Sequence, residues 1–220
     1  MLVDMTNDKR YTYPLHVYIY QFDSSVSFKR HPPVTKKGSS FLHIAIPYIN
    51  QFYLVPEGEP SKSNAGFWGL SAGVDYYYGS GRYVSIKASV ATDYPVPVPA
   101  GVDFSGEHES MTSAYITFSN AYRIKQFSIG YGIALSKNTW KFIYDDRFNP
   151  PPPTRAPAIK TRTTAGFTFP VQYHIGNKFV LGLNYMPFLF QLTDGMNLRH
   201  EYLISLDFGW KISLSSQYKQ

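Results

Sequence analysis

Between Thr163 and Leu214 large apolar side chains alternate with small or polar ones, run after run. Ala165, Phe167, Phe169, Val171, Tyr173 and Ile175 hold one set of positions, and Gly166, Thr168, Pro170, Gln172 and His174 hold the other. After a Gly176-Asn177 turn the stretch Phe179–Tyr185 follows. Tyr202, Ile204, Leu206, Phe208, Trp210, Ile212 and Leu214 then alternate with Glu201, Leu203, Ser205, Asp207, Gly209, Lys211 and Ser213. Successive side chains of a β-strand point to opposite faces, so a period of two predicts strands with one greasy face and one small or polar face. That asymmetry is the strongest constraint on the fold.

The same pattern extends upstream. Strands are expected at about Ser40–Val55, with Leu42, Ile44, Ile46 and Tyr48 on one face and a bulge near Pro47. A second covers about Ala65–Tyr78, with Trp68, Leu70, Ala72, Val74 and Tyr76 against Gly69, Ser71, Gly73 and Asp75. A third covers about Arg82–Thr92, a fourth about Met111–Ile124, and a fifth starts at Phe127. Tight turns fall at Gly79-Ser80-Gly81, at Lys125 and at Gly176-Asn177. Longer links fall at Pro56–Asn64, Asp93–Ser110, Ile143–Arg162 and Thr193–Arg199. Eight antiparallel strands from Ser40 to Leu214 therefore alternate short and longer links, which puts both ends of the sheet on the short-turn side. Residues 1–39 read as an N-terminal extension, a periplasmic or partner-docking arm, and residues 215–220 as a short tail.

Alternation alone fits two architectures: a soluble barrel of lipocalin type with a ligand-binding apolar interior, and a membrane barrel with an apolar exterior. Composition separates them. Only 16% of the residues are charged, against 17% aromatic, and the charges collect between strands rather than on a strand face. The weaker face is Gly, Ser, Ala, Thr and Gln on several strands, which suits the side-chain-filled interior of a narrow barrel. In lipid every backbone polar group must be paired internally, so the sheet must close. Tyr76, Tyr78, Tyr122, Tyr173 and Trp210 near the tight turns, with Trp68 and Phe190 near the loops, match two interfacial girdles. The expected fold is all-β: an eight-stranded antiparallel transmembrane β-barrel with an N-terminal extension.

Over about Ser40–Leu214 the chain resembles the small bacterial outer-membrane barrels of OmpA/OmpX-like architecture. Asp207, Gly209, Ile212 and Leu214 look like the assembly signal of that group's final strand, and the tail Ser215–Gln220 departs from it. The resemblance implies a place in the outer membrane of a Gram-negative cell, lipopolysaccharide and other outer-membrane proteins as partners, and a signal peptide before the mature chain. Met1–Phe22 is too polar and tyrosine-rich for such a leader, so either the numbering begins after cleavage or at a misassigned start, or the export reading fails.

The inward-facing charges Asp75, Lys87, Arg123, Glu201, Asp207 and Lys211 are the candidate site, read as a structural ion-pair network closing the lumen. Asp75 and Lys87 stand diagonally across a hairpin, within reach of each other. An eight-stranded barrel leaves no aqueous channel. With no cysteine there is no thiol chemistry or disulfide, and the sequence shows no metal-spaced cluster, phosphate loop or nucleic-acid motif, so no cofactor is expected. The outer-membrane lipid A deacylases carry a His-x-Ser-Asn run. Here Thr117-Phe118-Ser119-Asn120 has Thr in the place of the base, with His108, His174 and His200 elsewhere, and a hydroxyl cannot accept the serine proton near neutral pH. The reading is therefore a non-enzymatic structural or interaction subunit of a larger outer-membrane complex. A lipid-modifying enzyme and a soluble ligand-binding barrel are the alternatives.

Overall fold

The computed structural model describes residues 37–94, 106–145, 152–176, 178–193 and 197–214. Eight antiparallel strands, β1 (Ser40–Leu54), β2 (Lys62–Tyr77), β3 (Arg82–Tyr94), β4 (Glu107–Ile124), β5 (Phe127–Tyr144), β6 (Ala158–Ile175), β7 (Phe179–Gln191) and β8 (Asn197–Ser213), close into a barrel in sequence order. β1 pairs with β8 from Phe41↔Ser213 to Tyr53↔Tyr202, so no unpaired sheet edge remains. Lys125 and Gln126 alone join β4 to β5, with Lys125 at a positive φ of 55° that the tight reversal demands.

The apolar side chains named above point outward: Leu70, Ile86, Ile116, Ile129, Ile133 and Phe167 are exposed, while Ser71, Ser85, Thr117, Ser128 and Thr168 are buried in the lumen. The short turns lie at one end and the longer connections at the other. Even strand number, this turn asymmetry and an outward apolar belt are the form of bacterial outer-membrane barrels. In that form the turn end is the periplasmic one and the loop end the extracellular one, and the two ends are so called below.

The strands are longer than their alternation suggests. β2 starts at Lys62 instead of Ala65, β4 at Glu107 instead of Met111, and β6 at Ala158 instead of Thr163; β5 runs to Tyr144. The two longest connections shrink accordingly to 95–106 and 145–157. The cause is visible on β5. Its outward residues run Phe127, Ile129, Tyr131, Ile133, Leu135 and then Lys137, Thr139, Lys141, while its inward residues run Ser128, Gly130, Gly132, Ala134, Ser136, Asn138 and then Trp140, Phe142. From Lys137 on the outer face and Trp140 on the inner face the polarity inverts. At about 3.3 Å per residue and a tilt near 40°, Phe127 to Lys137 spans about 25 Å along the axis, the height of an apolar membrane band. Above it the strands stand in water and must hide their apolar residues inside.

The bulge expected near Pro47 is present. The β1–β8 register shifts between Pro47 and Ile49, and the β2–β3 register between Phe67 and Gly69. Trp68 sits at φ 77°, and the buried Asn50 amide donates to the carbonyls of Pro47 (3.3 Å), Trp68 (3.0 Å) and Thr92 (3.2 Å). One side chain thus satisfies backbone groups that the bulges release from the ladder.

Candidate functional site: the closed lumen and its mouth

The interior is layered. Nearest the turns, Tyr77, Tyr83 and Ala121 pack together with Phe41 beside them. Above them lies a polar layer. Asp75 is fully buried, and its carboxylate Oδ2 lies 2.7 Å from Lys211 Nζ and 3.9 Å from His43 Nδ1. The three side chains come from neighbouring strands, since β1 lies between β2 and β8 and His43 faces both Gly73 and Lys211. Two glycines make the space. A Cβ on Gly209 would stand 2.6 Å from His43 Nε2, and one on Gly73 would stand 2.5 Å from Lys87 Cγ. Lys211 also rests 4.8 Å from the centre of the Tyr83 ring, a favourable seat for a desolvated cation. Tyr83 donates to Ser128 and Gln172 at 3.2 Å, and Ser128 bonds His174 Nε2 at 2.6 Å.

Direct pairing among the candidate charges is local. Asp75 takes Lys211 at 2.7 Å and no Asp75–Lys87 ion pair forms among the described residues, while Lys87 acts through its field on both Asp75 and Asp207. Asp207 accepts from the Ser205 hydroxyl. Arg123 sits at the turn end, where its Nε donates to the Lys125 carbonyl at 3.1 Å. Glu201 belongs to the loop-end half, accepting from Val55 N at 3.0 Å and Asn138 Nδ2 at 2.8 Å. His43 and His174 complete the polar layer and were absent from the candidates, although both occupy inward positions in the alternation.

Higher still the lumen adds a large apolar cluster beside the buried Asn138, Arg162 and Glu201. Phe52, Leu54, Met111, Trp140, Phe142, Met186, Phe188 and Leu203 form a buried apolar core between the strands. This core fills the loop end, and described parts of the β1–β2 and β5–β6 connections are pinned over it. Arg155, from the β5–β6 connection, lies 4.0 Å from the Phe142 ring centre and 5.1 Å from that of Trp140. Its guanidinium pairs with Glu59 of the β1–β2 connection at 2.8 Å and with Glu109 of β4 at 3.4 Å. Glu109 also holds Lys62 Nζ at 2.6 Å and accepts from the Trp140 indole N–H at 3.0 Å. Beside this latch Arg162, buried on β6, donates to Val55 O at 3.0 Å and Gln191 at 3.1 Å. Placing Arg162 and Arg155 in one long loop hid both roles; Arg162 has the inward parity of Thr164 and Thr168.

The Thr117-Phe118-Ser119-Asn120 run divides across the wall. Thr117 and Ser119 are buried toward the lumen, whereas Asn120 faces out, bonded to Tyr78 at 2.9 Å. His174 engages Ser128, and His200 stacks outside against Tyr53 and Tyr202. The geometry brings none of these imidazoles to Ser119 among the described residues.

A closed ring whose faces are apolar outside and polar inside over one membrane thickness leaves one reading. The chain is an eight-stranded transmembrane β-barrel of outer-membrane architecture. No protein-family model matches it, and no curated protein matches it. Solved structures of similar fold include the attachment invasion locus protein Ail of Yersinia pestis, at 13% identity and TM-score 0.49, covering 80% of this chain and 99% of that one. The N-terminal β-barrel domain of OprF from Pseudomonas aeruginosa shares 12% identity at TM-score 0.46, with 81% and 100% covered. Neisserial surface protein A shares 11% at TM-score 0.45, with 80% and 99% covered.

Proposed function

We propose that the protein works by association, as a non-enzymatic subunit of a larger assembly in the bacterial outer membrane. The observation that carries this reading is the pinned mouth. Arg155, Glu59, Glu109, Lys62 and Trp140 tie two connections and the ends of three strands, β2, β4 and β5, into one surface above the membrane band. A surface already ordered loses less entropy when a partner docks. The packed apolar layers at both ends of the lumen argue against transport as the role. The N-terminal segment 1–39 is the second proposed contact, of which residues 1–36 lie outside the described residues. The partners are other outer-membrane proteins, with lipopolysaccharide around the barrel.

The test is to delete residues 1–30 and, separately, to replace residues 146–157 by a short Gly-Ser link. Native complexes are then extracted in mild detergent. Each variant should keep the compact, heat-modifiable barrel band on a gel while the native complex shrinks and a co-purifying protein is lost. Unchanged complex size in both variants would refute association through these segments.

A further inference from the structure

At the periplasmic end the outer wall carries a crevice of about 360 Å³ lined by Tyr78, Arg82, Asn120, Tyr122, Ile129 and Tyr131. Its walls follow from the register. Arg82 faces Tyr122, which faces Ile129; Asn120 faces Tyr131. Asn120 is the anomaly, an amide on the outward face between Phe118 and Tyr122. Its Oδ1 accepts from the Tyr78 hydroxyl at 2.9 Å, and its Nδ2 donates to Tyr131 at 3.4 Å. Each amide nitrogen carries two hydrogens, so one Asn120 N–H and the Tyr131 O–H remain to donate. Arg82 lies over Tyr122, 5.8 Å from its ring centre, and pairs with no carboxylate among the described residues. The crevice therefore offers a guanidinium, an amide N–H and a phenol above an apolar floor, within a few residues of the turn and inside the aromatic girdle where headgroups lie.

We propose that this crevice binds an anionic glycerophospholipid of the periplasmic leaflet, with the phosphate on Arg82 and an acyl chain along Ile129. Charge complementarity selects the occupant. Lys37, Arg82, Arg123, Lys125 and Lys178 stand at the turn end, and no acidic side chain there is exposed among the described residues, Asp75 being fully buried. Among the described residues no exposed carboxylate on this rim pairs the ammonium of a zwitterionic headgroup, whereas a net negative headgroup meets the Arg82 guanidinium without repulsion. Arginine forks match phosphate oxygens in bidentate geometry. The inference rests on the membrane-barrel reading and is independent of the association proposed above.

The full-length barrel, purified in mild detergent and exchanged into micelles containing equal phosphatidylglycerol and phosphatidylcholine, is analysed by native mass spectrometry. The wild type should retain phosphatidylglycerol roughly tenfold over phosphatidylcholine, the ratio that one charge-assisted contact supplies. Arg82→Gln should bring the ratio near one and Asn120→Ala should lower it. Lys178→Gln, on a different turn, should leave it unchanged. Excess inorganic phosphate should not displace the lipid. Equal retention of both lipids by the wild type overturns the site, as does a Lys178→Gln loss matching that of Arg82→Gln, which would mean diffuse rim charge. Displacement by inorganic phosphate overturns the lipid as occupant. Retention of neither lipid overturns the site, whereas the membrane-barrel reading is tested separately by whether the protein stays dispersed only in detergent or lipid.

Discussion

Replacing Asp75 by Asn should destabilise the barrel by about 3 kcal/mol, roughly two decades in the folding constant. The magnitude follows from the geometry. Asp75 is 0% exposed and Lys211 6%, so neither has water to fall back on, and the 2.7 Å contact is the carboxylate the ammonium sees at closest range. Breaking a buried pair from one side typically costs about 3–5 kcal/mol, because the remaining charge loses its partner. The low end applies here, since the Asn amide oxygen can still accept from Lys211 and the Tyr83 ring, 4.8 Å away, stays in place. The pair itself is a different matter. Removing both charges together, as Asp75→Leu with Lys211→Met, orphans neither member of the pair, although the buried Lys87 also loses a nearby carboxylate, and should cost clearly less than the two single changes combined. The assay is equilibrium urea unfolding in lipid vesicles, read by tryptophan fluorescence and by the heat-modifiable gel band. If Asp75→Asn costs less than about 1 kcal/mol, or if the double variant costs as much as the two single ones combined, the pair is not the desolvated contact described here.

The inversion of polarity along β5 predicts that Ile133→Arg, near the middle of the band, costs about 2–4 kcal/mol, while Thr139→Arg, outward but above the band, costs about 0–1 kcal/mol; equal costs in vesicle unfolding would remove the boundary. Trp140→Ala should cost about 3–5 kcal/mol in the same assay, as for a truncated core aromatic. Arg155→Ala should cost only about 1 kcal/mol, its ion pairs being partly exposed, yet it should speed amide exchange in 56–61; unchanged exchange there would show that the latch holds nothing. Wild-type protein in planar bilayers should show no steady nanosiemens openings, and stable ones would contradict the packed layers.

The membrane-spanning half of the fold was legible because it depends on a local rule. Each residue between lipid and lumen is tested by position alone, so Phe127–Ser136 displays its facing without reference to any other strand. The bulge at Pro47 was legible for the same reason, since proline lacks the ladder donor. The extracellular half obeys the opposite rule with the same period, and there the alternation was misread. Thr161 and Thr163 outside, with Arg162 and Thr164 inside, look like a polar loop until the neighbouring strands supply Val55 and Gln191 as partners. Partner choice in the lumen was also hidden. Asp75 and Lys87 are close through a hairpin, but Lys211 is brought to the same carboxylate by the closure of β1 onto β8, a contact between distant parts of the chain. The two inward histidines carried a signal in their parity that only their spatial neighbours make meaningful.

The two halves also bear differently on function. Within the membrane band the barrel must be apolar outside whatever it does, so Ile129, Ile133 and Phe167 reflect the solvent more than a task. Above the band that demand lapses, and a short loop directly over the lipid would have sufficed to join the strands. Instead β4, β5 and β6 continue upward, enclose Trp140 and Phe142, and present Arg155 to two carboxylates. Ordering that many residues carries an entropic cost of about 1–2 kcal/mol for each backbone position. The apolar core beneath offsets it, and the described part of the rim is tied by ion pairs above the headgroups. A barrel serving only as a plug or an anchor gains nothing from such a rim. A barrel that presents a fixed surface to a partner would, and the proposed association is therefore to be tested at the loop-end connections rather than on the lipid-facing wall.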